Sequence, residues 1–300
     1  MTVAASPPVR RRTLLKAGAA AAGLGALGYA LRRTSRRLDG TTVTGALEAP
    51  ALGGAAAPWT IVYPRHVNPQ QPVLPGAGQG GRVPVAVVLH DLGGDAAVVA
   101  ESGLADAVGR RVVERQGTPF VLAAVSGGDR WWRARPDGTD AGALVLDQFL
   151  PRLADLGLAA NDVHRIALVG YGAGGYGALR LAQVLQGRRE GPRVAAVVAV
   201  GPTLWPDAAT AARQDPRAFS DAADFARGDL RAAPAALSPV AVRVESGRDD
   251  PYLPGVRAVC AALRPQVDVT TVDGGHDASS WAARADDVVR FVGDAFDRVN

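Results

Sequence analysis

Three short segments carry the residues that could do chemistry. Gly170-Tyr171-Gly172-Ala173-Gly174 has the form of the G-x-S-x-G turn that presents a serine nucleophile between a strand and a helix, but glycine stands where the serine belongs. Gly247-Arg248-Asp249-Asp250 and Gly274-Gly275-His276-Asp277 follow it, so that turn, acid and histidine come in the order such a triad uses. A carboxylate that orients an imidazole and stabilises its cationic form makes the imidazole a general base. Asp250 and Asp249 are the candidates for that carboxylate, and His276 is read as the base. Gly172 is the vacated nucleophile position, and a serine returned there is expected to lie within reach of His276.

Positioning these loops requires strands that end where the motifs begin. From Gly40 onward, short β-branched runs alternate with helix-period segments, the pattern of a mostly parallel sheet covered by helices on both faces. Thr42 to Leu47 and Trp59 to Tyr63 are expected to open it as an antiparallel pair. Val85 to Leu89, Phe120 to Val125, Arg165 to Val169, Val194 to Val200, Val240 to Val244 and Val267 to Val272 follow as buried strands. Helices are expected over Glu101 to Arg115, Ala141 to Leu156, Gly174 to Gln186, Leu253 to Leu263 and Ala278 to Phe296. The stretch Asn68 to Arg82 reads as a surface loop, and residues 206–239 as a cap insertion.

The 300 residues, 48% of them hydrophobic, suffice for one large core. A single cysteine, Cys260, excludes an internal disulfide and reads as a small core residue. No cofactor motif appears, and no His, Cys or carboxylate cluster has metal-ligand spacing. The net charge of +4 owes much to arginine runs near the N-terminus rather than to a basic stripe interleaved with aromatics, so nucleic acid is not an expected partner. Arg11-Arg12 before Leu14-Leu15-Lys16 and an uncharged run over Ala17 to Leu31 resembles a twin-arginine export signal. That run, of about fifteen residues, is short for a membrane span of about twenty. Residues 1–31 are thus expected to be an export signal or an N-terminal anchor and 32–41 a linker, with one domain over 42–300. The protein is expected outside the cytoplasm, touching membrane only through the N-terminal segment if that is uncleaved.

With Leu89-His90-Asp91-Leu92-Gly93-Gly94, the run Gly174 to Leu179 and Gly-Gly-His-Asp in place, the chain resembles the actinobacterial esterase family of the α/β-hydrolase superfamily. That family includes esterase D, S-formylglutathione hydrolase and the secreted mycolyltransferases of the antigen 85 group. The resemblance spans roughly Thr42 to Phe296. Its enzymes read G-x-S-M-G-G at the turn and H-G-x-G-G in the earlier loop; here the serine is Gly172, the methionine Ala173 and the loop glycine Asp91. The resemblance implies an α/β-hydrolase fold, Asp250 rather than Asp249 as the acid, and an oxyanion hole built from the backbone N–H groups of Leu92 and Ala173. A carboxylate at 91 opposes such a hole unless it turns to solvent. The resemblance also implies an acyl or glycolipid ligand of the cell envelope, bound by a pseudoenzyme, or a weakened ester hydrolase in which His276 activates water. Trp131, Trp132, Trp205 and Trp281 are candidates for a pocket wall or for plain packing.

Overall fold

The computed structural model describes residues 33–37, 40–74, 81–114, 116–161 and 165–298. Their strands are β1 (Arg33–Arg37), β2 (Gly40–Ala49), β3 (Ala55–Pro64), β4 (Val85–Leu89), β5 (Val121–Val125), β6 (Arg165–Tyr171), β7 (Arg193–Val200), β8 (Ala241–Gly247) and β9 (Val269–Val272). They form one nine-stranded sheet in the order β1-β2-β3-β5-β4-β6-β7-β8-β9. The β1, β2 and β3 pairings are antiparallel, and every pairing from β5 to β9 is parallel. Parallel strands need covered faces, and the residues of β4 divide accordingly. Val85, Val87 and Leu89 enter one core with the helices Leu150–Asp155, Ala173–Gly187 and Leu253–Ala262. Ala86 and Val88 enter the other, with Leu104–Val113 and Ala285–Asp297. The two-residue period of the strand is what lets one short apolar run serve both layers.

Some expectations need correction. The stretch 32–41, read as a linker, contains β1, which pairs with β2 from Arg33 opposite Thr44 to Arg37 opposite Gly40. The single helix expected over Ala278 to Phe296 is two, Ala278–Ala282 and Ala285–Asp297. The export segment 1–31 lies outside the described residues. Among the described residues, no helix is long and apolar enough to cross a membrane.

Between β7 and β8, residues 206–239 carry the helices Ala208–Gln214 and Ala222–Gly228 and the short turn Leu230–Ala232. The segment is pinned to the body by a bidentate pair between Arg133 and Asp224, both contacts 2.9 Å. The Tyr176 hydroxyl adds a bond to the Gly228 carbonyl at 2.9 Å. Parallel strands ending together at β4, β6, β7 and β8 bring the loops after them, and this inserted segment, to one edge of the sheet.

Candidate active site

The turn after β6 is built as the glycine spacing requires. A Cβ on Gly170 would collide with the Gly174 carbonyl, and one on Gly174 with the Leu89 carbonyl, so the turn closes only without side chains there. Gly172 has φ 53° and ψ −119°, the strained conformation in which a nucleophile projects above the sheet. The helix Ala173–Gly187 starts at once, its first-turn amides Gly175 and Tyr176 donating to the Gly172 carbonyl.

The acid and the histidine meet. His276 Nδ1 lies 3.1 Å from Asp250 Oδ2, and the Asp250 side chain is wholly buried. Asp250 Oδ1 accepts from the Tyr252 amide at 2.8 Å and Oδ2 from the Ser246 hydroxyl at 3.3 Å, so the carboxylate is fixed on both oxygens. Asp249, the rival, is exposed. The imidazole is held between Tyr252 and Trp281, with ring centroids at 4.8 and 5.1 Å.

The nucleophile seat itself is taken. Asp91 Oδ1 accepts from the Ala173 amide at 2.7 Å, and Oδ2 stands 3.8 Å from His276 Nε2. A Cβ placed on Gly172 would come within 3.0 Å of Oδ1, Cγ and Oδ2 of Asp91 alike. Of the two arrangements open to a carboxylate at 91, opposing the hole or turning to solvent, the structure has the first: the side chain turns inward and is itself the anion in the hole. The Ala173 amide, at the positive end of a fifteen-residue helix, favours that anion. Leu92, the other implied donor, lies on the same loop, partly buried against Trp131, Ala173 and Trp205.

The Asp91 loop is fixed from below by His90, which is 1% exposed. Its Nδ1 bonds to the Asp91 carbonyl at 2.7 Å and its Nε2 accepts from the Gly127 amide at 3.0 Å, which places the proton on Nδ1. Burial pushes the His90 pKa down despite the Asp91 carbonyl bond, in keeping with a neutral ring. Trp132 donates to the His90 carbonyl at 3.1 Å. Trp131, Trp132 and Trp205 are all buried, whereas Trp281 faces a cleft of about 320 Å3 that Asp91, Leu92, Ser102 and Tyr171 also line.

Sequence reasoning left three charged groups unassigned. Glu245, fully buried on β8, receives Arg243 and Arg284. Arg133 and Asp224 fasten the inserted segment. Arg243 lies two positions from Glu245 on the same strand, but Arg284 is 39 positions from Glu245 and Asp224 91 positions from Arg133, so neither set is complete in any local segment. Cys260 is buried, and burial pushes its thiol up to about 12, as suits a core residue. Among the described residues no cluster of His, Cys, Asp and Glu is arranged to hold a metal ion.

Asp277 begins the helix Ala278–Ala282 directly after His276. The Ser279 hydroxyl and the Ser280 amide and hydroxyl hold its carboxyl at about 2. A carboxylate whose folded pKa lies below the ordinary value near 3.9 stabilises the fold fully above about pH 4, and that contribution is lost as pH falls toward about 2. Thermal unfolding of the unaltered protein is expected to steepen in that interval, and Asp277→Asn to flatten the dependence there. Identical profiles would contradict the assignment.

No family model matches the sequence. A ferulic acid esterase superposes with a TM-score of 0.67 at 20% identity, covering 86% of this chain and 100% of that one. The chain is an α/β-hydrolase by fold. An S-formylglutathione hydrolase from Agrobacterium tumefaciens gives a TM-score of 0.64 at 13% identity, covering 88% of this chain and 98% of that one. In sequence, the carboxylesterase/phospholipase LipF of Mycobacterium tuberculosis is 34% identical over 125 residues, 37% of this chain and 32% of LipF. The chain thus matches about a third of the length of that curated relative.

Proposed function

We propose that this α/β-hydrolase is an exported protein that binds an acyl or glycolipid ligand of the cell envelope and forms no acyl-serine. The observation that carries this reading is the Asp91 carboxylate in the seat of the missing serine, taking the Ala173 amide that an acyl oxyanion would need. A bound ester would meet negative charge where negative charge must develop. Of the other serines near the site, Ser246 is committed to Asp250 and Ser279 and Ser280 to Asp277, while Ser102 on the cleft wall caps the end of the helix Val98–Glu101 rather than a strand-to-helix turn. One relative in fold is described as a fluorophosphonate-binding serine hydrolase of Staphylococcus aureus. This chain is expected to differ from it: the purified protein will take up no fluorophosphonate probe, as read by intact mass. Stoichiometric labelling of any serine sinks the reading. Binding is measured by thermal shift against acyl chains, trehalose glycolipids and glycans, where a saturable shift with one class is the expected result.

A second reading, an altered hydrolase, is favoured by the intact Asp250–His276 pair. A buried carboxylate aligned on an imidazole is what a base needs.

Export follows from the arginine pair. Replacing Arg11 and Arg12 together with lysine is expected to leave the protein in the cytoplasm, because the translocase reads the pair itself. Undiminished export in a fractionation assay points to another route.

A further inference from the structure

The cleft of about 320 Å3 beside Trp281 carries charge of one sign. Asp91, Asp95 and Glu101 line it, and no lysine or arginine does. The histidine on its wall, His90, is buried with its pKa pushed down, so it brings no positive charge. Among the described residues the exposed Glu101 side chain has no partner, and the exposed Asp95 accepts only from the Ala97 amide, at 2.7 Å. Asp91 is anchored through Oδ1 by the Ala173 amide, with His276 Nε2 at 3.8 Å from Oδ2. A cleft walled by like charges concentrates counter-ions.

Two neutral acceptors stand with the carboxylates. Tyr171, 1% exposed, and Ser102 both line the cleft. Their hydroxyls lie beside each other, yet neither meets a partner at hydrogen-bond geometry. Buried hydroxyls are seldom left so, and a pair of them on a cleft wall points to a polar group supplied from outside the chain. The carboxylates are spread along the wall rather than turned on one point, since no group of His, Cys, Asp and Glu among the described residues is arranged to hold a metal ion. Asp95 also lines a second hollow of about 420 Å3, with Thr44, Thr60 and Ser126, which draws the acceptor-rich surface out further.

We propose that this cleft binds a linear polyamine, a chain of ammonium groups separated by methylenes. The inference goes beyond the acyl-ligand reading and does not rest on it. Ammonium N–H groups donate to the spread carboxylates in charge-assisted bonds and to the two open hydroxyls. The methylenes lie on the apolar part of the lining, Val98, Ala278 and Trp281. A metal ion needs ligands gathered about one centre, which this wall lacks. A quaternary ammonium has no N–H to give to the hydroxyls of Tyr171 and Ser102. A linear polyamine meets both conditions.

The test is titration of the ¹⁵N-labelled full chain with spermidine at low ionic strength. Saturable amide shifts are expected over residues 91–102, at Tyr171 and at Ala278 and Trp281. Spermidine should bind about tenfold more tightly than butylamine, as two further ion pairs of the exposed kind would give, and added salt should weaken it. Glu101→Gln and Asp95→Asn should each weaken binding by about two- to fivefold, the asparagine keeping an oxygen for the Ala97 amide. Asp249→Asn, at an exposed carboxylate outside the cleft, should leave it unchanged, and melting curves check that each variant folds. No saturable shift, or affinity unchanged in the combined Glu101→Gln and Asp95→Asn variant, overturns the proposal. Tighter binding of tetramethylammonium than of spermidine also overturns it, as does displacement of spermidine by Mg²⁺ in proportion to charge alone. Saturable binding of an acyl chain with no response to spermidine would reject the polyamine site and leave the acyl-ligand reading standing.

Discussion

Gly172→Ser alone is expected to add no esterase activity and to lower stability by about 1–3 kcal/mol. The sequence suggests a simple restoration, since the acid and the base are in place. The structure opposes it, because the new Cβ would have to displace the Asp91 carboxylate and the backbone there has φ 53°. Removing the obstacle changes the outcome. Gly172→Ser with Asp91→Gly frees both the seat and the Ala173 amide, and His276 stands ready to deprotonate the hydroxyl. Hydrolysis of p-nitrophenyl acetate by the double variant is expected to exceed the parent by about 10²-fold or more, the contribution of a positioned general base. The gain should disappear when His276→Ala is added. A folded double variant with no gain would contradict the placement of the elbow against His276.

The second large effect is on stability. Arg133→Ala is expected to cost about 3–5 kcal/mol, because it leaves Asp224, 2% exposed, with only the exposed Arg227 to answer its charge. It also takes the guanidinium from the Ala218 carbonyl, 2.6 Å away, and from the Phe219 ring, 4.4 Å from its centroid. Burial alone would raise the Asp224 pKa, but hydrogen bonds from Arg133 and the Ser220 amide, with the charges of Arg133 and Arg227, hold it at about 2. Its stabilising effect is accordingly complete above about pH 4 and fades toward about pH 2. Arg133→Met with Asp224→Leu should recover most of the loss, since a buried pair replaced by apolar side chains is often nearly neutral. Urea denaturation of the single and double variants measures both. A loss below 1 kcal/mol for Arg133→Ala would mean that the inserted segment does not depend on this pair.

Legibility in the sequence followed the range of the interaction. Val85 to Leu89 is readable as a strand because its own five residues face both layers, and all are fully buried. Gly170 and Gly174 are readable because the turn demands them locally. Asp250 and His276 could be paired across 26 positions only through the order of the motifs. By contrast, β1 reads Arg-Thr-Ser-Arg-Arg, and its ladder with β2 uses backbone groups that composition does not signal. The break between the last two helices falls at Ala283 and Arg284, with neither glycine nor proline to mark it. The inward turn of Asp91 was hidden for another reason. Its partner amide is 82 positions away, and a carboxylate beside a hole for oxyanions reads as repulsion until the missing serine is seen as room for it.

The carboxylate in the oxyanion hole is the claim on which the rest depends, and the amide proton of Ala173 reports on it directly. In ¹⁵N-labelled protein at neutral pH, a bond of 2.7 Å to a carboxylate should draw that proton strongly downfield and protect it from exchange. Asp91→Ala should return the resonance upfield and open it to solvent while distant amides keep their positions. An Ala173 amide that is neither shifted nor protected in the unaltered protein, and that does not respond to Asp91→Ala, would contradict the account.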